Sequence, residues 1–166
     1  MIDHLSLKVR DFARSKDFFL AALAPLGYGL VRDYTPHAVG IGPEGRPVFW
    51  VIAAEQSAPT HVAFSARDRA MVTAFHTAAL AAGGRDNGAP GLREHYHPHY
   101  FGAFVIDSEG NNIEAVCHRN PDEAARAAAP AAAARKPARA KPARAPAKSA
   151  KRAARPARKS AAKKRR

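Results

Sequence analysis

Three side chains, distant in sequence, could together do chemistry: His4, His61 and Glu114. The two histidines open stretches that resemble one another, "HLSLKVRD" and "HVAFSARD", at a constant offset of 57. Over positions 4–27 and 61–84 ten residues are identical without a gap, His4/His61, Arg10/Arg67, Asp11/Asp68 and Phe18/Phe75 among them. Two imidazoles and one carboxylate form a facial set that leaves positions open on Fe(II) and suits Mn(II), Zn(II) or Co(II) equally. A centre with free positions is a working one, since structural sites are filled. Glu114 stands in the apolar run "IEAVC", where a carboxylate is costly unless it is paired or bound to a cation. A further group, "REHYHPHYFG", brings His95, Tyr96, His97, His99 and Tyr100 into one stretch. Its alternating histidines suit a second metal site. Tyr100 and His97 suit substrate orientation or proton transfer.

The elements that must position these residues follow from periodicity. "HLSLKV" and "HVAFSA" alternate with period two. Leu5, Leu7 and Val9 oppose His4, Ser6 and Lys8, and Val62, Phe64 and Ala66 oppose His61, Ala63 and Ser65. Asp11 and Asp68 then stand as N-caps of helices whose apolar faces are Phe12, Phe19, Ala22, Leu23 and Leu26, and Val72, Phe75, Ala79 and Leu80. Gly27 and Gly84 are placed to end these helices. "HAVGIG" with "PVFWVIA", and "YFGAFVID" with "NNIEAVCH", read as hairpins with Glu-Gly at each turn. Aligning Glu44-Gly45 with Glu109-Gly110 gives an offset of 65. About eight extra residues of the second unit then fall in the long irregular loop "RDNGAPGLREHYHPHY". The unit is β-α-β-β-β, used twice. On its last strand Glu114, Val116 and His118 share one face, and Cys117 lies on the other as a small core residue. Packed with pseudo-twofold symmetry, the units would carry His4 and His61 toward one another and toward Glu114.

Composition divides the chain. Residues 1–120 hold 11 Lys/Arg and 12 Asp/Glu, whereas residues 121–166 hold 16 and 2, so the net charge of +13 belongs to the C-terminal segment. That segment has six prolines and no Val, Ile, Leu or aromatic residue. With nothing large to bury it should be disordered. Its charge suits nonspecific contact with nucleic acid, of a kind that weakens steeply with salt. The expected organisation is a folded domain over 1–120, built of units 1–56 and 57–120, and a basic tail over 121–166. The single cysteine excludes an internal disulfide, and no signal peptide or membrane-spanning run is seen. These features point to a cytoplasmic protein, nucleoid-associated if the tail holds DNA.

"IDHLSLKVRDFARSKDFF", "THVAF" and "FVIDSEGNNIEAV" together resemble the vicinal oxygen chelate superfamily: glyoxalase I, extradiol dioxygenases, and the fosfomycin- and bleomycin-resistance proteins. The resemblance spans residues 2 to about 118. It implies an α+β fold in which paired βαβββ units form a U-shaped, eight-stranded mixed sheet around a divalent metal, with helices outside. It also implies metal ligation by His4, His61 and Glu114, with Glu114 in the catalytic centre, and assembly as a homodimer. Glyoxalase I has a fourth ligand at the position symmetric with Glu114. By the hairpin alignment that position here is Phe49, which cannot ligate, so glutathione-type chemistry is not expected and Phe49 becomes an aromatic wall of the site, with Trp50 behind it. The resulting expectation is a metal-dependent lyase or dioxygenase acting on a small oxygenated or aromatic substrate. The alternatives are a metal-free binder of flat ligands, like the bleomycin-resistance members, and a DNA-associated protein that works through its tail.

Overall fold

A computed structural model of the chain describes residues 2–120. The basic segment 121–166, with the expectation of disorder and of nucleic-acid contact, lies outside the described residues. The elements run β1 (Leu5–Val9), α1 (Phe12–Leu23), a 3-10 turn (Ala24–Leu26), β2 (Gly29–Tyr34), β3 (Ala38–Gly42), β4 (Phe49–Ala53), β5 (His61–Ser65), α2 (Arg69–Ala81), β6 (Arg85–Leu92), β7 (Phe101–Ile106) and β8 (Asn112–Cys117). This is βαβββ twice. The eight strands divide between two four-stranded mixed sheets, ordered β1-β4-β3-β2 and β5-β8-β7-β6.

The local signals act as physics requires. Asp11 accepts from the Arg14 backbone N–H at 3.1 Å, and Asp68 accepts from that of Met71 at 2.9 Å, each closing a free amide in a first helical turn. Helix α1 buries Phe12, Phe18, Phe19, Ala22 and Leu23, and α2 buries Val72, Phe75 and Ala79. Leu80, expected on that face, stays exposed. The helix ends differ from expectation in one place. Gly27 takes positive φ as foreseen, but after α2 it is Gly83, at φ +90°, that turns the chain. Gly84 instead lies where a Cβ would meet a methyl of Val105 at 2.4 Å, so that position is kept bare by packing.

Two strands escaped the sequence reading. β2 follows the first helix, and Arg85–Leu92, read as loop, is β6. Both are sheet edges, and β6 pairs with β7 through two register shifts.

The parallel ladders fix how the units correspond. Ser6 faces Trp50 as Ala63 faces Glu114, and Ile41 faces Phe49 as Val105 faces Ile113. The strand offset is therefore 64, one less than the 65 given by the Glu-Gly pairs, because the two turns place those pairs one residue apart. The counterpart of Glu114 is Trp50, not Phe49. Phe49 is 1% exposed and points into the core, edge-on to Phe19 and Phe64. It also lines a cavity of about 590 Å³ that His4 and His61 share.

Both units share one core, in which α1 packs on α2 and Tyr28 meets Phe64 at 5.5 Å. Cys117 lies in it, 1% exposed. No helix among the described residues is long and apolar enough to cross a membrane.

Candidate functional site

The second sheet turns one face to the core (Val62, Phe64, Ala103, Val105, Ile113, Ala115). By strand alternation its other face carries His61, Ala63, Gly102, Phe104, Asn112 and Glu114. Glu114, centred on β8 between Ala63 and Phe104, is 1% exposed although its face is the outer one. Two side chains cover it. The Tyr100 hydroxyl donates to Oε1 in a short hydrogen bond, and His61 Nε2 stands 3.2 Å from Oε2. Gly102 makes room, since a Cβ there would lie 3.0 Å from Oε1 and 3.1 Å from the Tyr100 ring. Burial, and then the adjacent carboxylate, push the Tyr100 phenol well above the usual tyrosine range. Tyr100 is thus a donor that keeps its proton and holds one oxygen of Glu114 in place.

His61 is oriented from its other side. Its Nδ1 lies 3.1 Å from the Asn112 carbonyl, an acceptor only, so Nδ1 carries hydrogen. A neutral ring then turns the lone pair of Nε2 toward a carboxylate oxygen. Two lone pairs face one another across 3.2 Å unless a proton or a cation lies between them. The spacing fits a cation: donors each about 2.1 Å from one ion and near a right angle apart lie roughly 3 Å from each other. The ring of Phe104 stacks beside His61 at 6.4 Å, and the Arg93 guanidinium lies over Phe104. A cavity of about 450 Å³ opens here, lined by His61, Tyr96, Tyr100, Phe104, Asn112 and Glu114.

The structure joins His61, Glu114 and Tyr100, but it leaves His4 apart. The Nδ1 of His4 pairs with Asp3 at 2.9 Å, and Asp3 pairs with Arg46 at 2.7 Å. The other end of β1 is hydrogen-bonded to the second unit. There the Asp11 N–H donates to Glu109 at 2.9 Å and Arg10 Nε to the same carboxylate at 3.2 Å. Glu109 lies in the β7–β8 turn, which is tied to the start of β5 by Thr60 N–H donating to Asn111 Oδ1 at 3.0 Å. His61 therefore stands toward the Arg10 end of β1, while the His4 end lines, together with His61 and the rest of β5, a cavity of about 590 Å³. Among the described residues no group of three or more His, Cys, Asp or Glu side chains is placed to hold one metal ion. His4 and His61 face one cavity, but His4 does not join His61 and Glu114 in a single ligand cluster among the described residues.

The histidine-rich loop forms a chain of ring contacts instead of a second metal cluster. Tyr96 meets Tyr100 at 5.1 Å, Tyr100 meets His118 at 5.0 Å, and His118 meets His97 at 6.2 Å. His97 Nδ1 accepts from the His99 backbone N–H at 3.2 Å. His97 does not line the cavity at Glu114. Tyr96, Phe104 and Asn112 do, and the last two were missed from sequence although alternation from Glu114 and Gly102 places both on the correct face.

No family model matches the sequence, and no curated protein matches it. Solved structures do. A glyoxalase/bleomycin resistance protein from Albidiferax ferrireducens T118 is 27% identical with a TM-score of 0.60, covering 71% of this chain and 98% of its own. A glyoxalase/bleomycin resistance protein/dioxygenase family enzyme from Burkholderia phytofirmans PsJN is 18% identical, TM-score 0.55, with coverage of 71% and 98%. Lactoylglutathione lyase from Agrobacterium tumefaciens is 16% identical, TM-score 0.54, with coverage of 70% and 92%. The last two speak to the fold alone.

Proposed function

We propose, from the fold shared with a solved glyoxalase/bleomycin resistance protein, that the chain is a divalent-metal-dependent enzyme of the vicinal oxygen chelate superfamily, of glyoxalase or dioxygenase type. Its substrate would be a small oxygenated or aromatic molecule. The observation that carries this reading is the buried Glu114 carboxylate, with one oxygen fixed by Tyr100 and the other 3.2 Å from His61 Nε2. His61 and Glu114 are two ligands of the cation, Fe(II), Mn(II), Zn(II) or Co(II). When bound, the cation supplies Lewis-acid polarisation of substrate oxygens. Tyr100 orients the carboxylate, while Phe104 and Tyr96 line the cavity beside it.

The third ligand in this reading is His4 of a second copy. β1 and β5 are both edge strands, and twofold pairing would set β1 of one molecule beside β5 of the other. The competing reading is a metal-free binder of flat ligands, which fits the lack of a three-ligand cluster among the described residues of one chain.

Metal content after reconstitution separates the two. Wild-type protein is expected to retain metal, and His4→Ala and Glu114→Ala each to lose it. Mixing the two variants and allowing exchange should restore about a quarter of the sites, because only mixed dimers regain one intact set. Negligible metal in wild type overturns the metal assignment. Retention by wild type with no recovery on mixing overturns the shared site.

A further inference from the structure

The cavity at Glu114 has a positively charged neighbour. A second cavity of about 290 Å³ adjoins it through Tyr96, Phe104 and Asn112, which border both, and is walled further by Asn87, Arg93 and His95. Arg93 is half-buried. Its guanidinium lies over the Phe104 ring, 5.6 Å from the centroid, and Phe104 in turn stacks on His61 at 6.4 Å. These two distances hold the guanidinium within about 12 Å of the His61 ring.

The strand beneath the guanidinium is shaped to admit it. A Cβ at Gly91 would lie 2.8 Å from Arg93 Nη1, and one at Gly88 would lie 3.3 Å from Nη2 and 2.9 Å from Phe104 Cδ2. Both glycines border the register shifts of β6, irregularities of the kind that re-aim side chains. Arg93 Nη1 donates to the Leu92 carbonyl at 3.2 Å and Nη2 to the Ala89 carbonyl at 2.8 Å. A guanidinium has five N–H donors, so three are left without a partner among the described residues. No carboxylate answers its charge there either. Asp86 is held by His76 at 2.9 Å, and Glu114 by Tyr100 and His61. Asn87 supplies a neighbouring amide, whose Nδ2 donates one hydrogen to Asn112 Oδ1 at 3.2 Å and has a second to give. A guanidinium fixed in place, uncompensated and beside an amide donor matches the needs of a carboxylate or phosphate.

We infer that Arg93 and Asn87 form an anion subsite and that the substrate is an acid. Its chelating oxygens lie at His61 and Glu114, and its carboxylate or phosphate lies at Arg93. The chelating half rests on the metal reading above, whereas the anion half needs no cation.

The experiment uses ¹⁵N-labelled full-length protein stripped of metal on a chelating resin, at constant ionic strength. The titrants are glutarate, inorganic phosphate and, as an uncharged analogue, glutaramide. The 16 cations of residues 121–166 also attract anions, so the readout is local. It is the Arg93 Nε–H resonance, identified by its loss in Arg93→Gln, together with the Asn87 side-chain amide. Both should shift saturably with glutarate or phosphate and stay in place with glutaramide, and the tighter anion names the substrate's acid group. In Arg93→Gln the Asn87 shift should require at least about tenfold more anion. Asn87→Asp sets a carboxylate beside the guanidinium and should abolish the Arg93 shift, while the remaining amide spectrum stays that of the folded protein. No saturable shift with either anion, an equal shift with glutaramide, or indifference to both substitutions overturns the proposal. Because metal is absent throughout, such a failure leaves the cation assignment to the reconstitution experiment, and a failure there leaves the anion subsite standing.

Discussion

Glu109→Gln would cut the clasp that ties the two repeat units together. The Glu109 carboxylate accepts from the Asp11 backbone N–H at 2.9 Å, the Ser57 hydroxyl at 2.7 Å and Arg10 Nε at 3.2 Å, and its side chain is 4% exposed. Burial alone would raise the carboxyl pKa. The Asp11 N–H, Ser57 and Arg10 outweigh it and bring the value from 4.5 down to about 2. At about 1.4 kcal/mol per unit this is a contribution of about 3 kcal/mol, reduced to about 2–3 because Arg10 is largely solvated. The sign follows from linkage. A folded pKa below the unfolded one means the contribution is complete above about 4.5 and lost as the pH falls through about 2. A carboxamide of the same shape keeps an acceptor for Asp11 but turns donors toward Ser57 and Arg10, and it has no titration. Urea denaturation of wild type and Glu109→Gln should therefore show a gap of about 2–3 kcal/mol at pH 6, narrowing to about 1 kcal/mol at pH 3. A gap independent of pH, or one that widens in acid, would refute the assignment of the clasp to the ionised carboxylate.

Two other outcomes are expected. Tyr100→Phe removes the donor that holds Glu114 Oε1 and should weaken Zn(II) or Co(II) binding about 10- to 100-fold by calorimetry; unchanged affinity would mean the hydroxyl does not orient the ligand. Deleting residues 121–166 removes 16 positive charges and should abolish DNA retention that in the full chain falls steeply between low and physiological salt; equal retention by both forms would remove nucleic acid from the list of partners.

What could be read in the sequence was what burial imprints on it. The alternation in β1 and β5, the capping aspartates and the apolar helix faces are each a local response to one buried side, and all three recur in the fold. Glu114 was legible for the opposite reason, as a charge among apolar neighbours. β2 and β6 left no trace because they are edge strands with little buried surface, so no alternation was required of "GLVRDY" or "RDNGAPGL". The one-residue error that put Phe49 in the place of Trp50 came from aligning turns by composition, whereas the ladder counts residues. The fate of His4 depended on which faces of the units pack together. That is decided by the Phe49–Phe64 and Tyr28–Phe64 contacts, long-range choices that no periodicity encodes.

Aligning the two sheets by their ladders sets Trp50 over Gly40 in one unit and Glu114 beside Phe104 in the other. Large and small residues have traded strands, so each half fills comparable space with opposite occupants. One arrangement yields a greasy floor, the other an acid sunk among rings. Exchange at a single one of the four positions leaves either a collision or a hole, while a paired exchange conserves bulk. The duplicated halves are therefore free to change character only in two-residue steps, and an engineer wishing to give both of them a carboxylate would have to move Gly40 and Trp50 together.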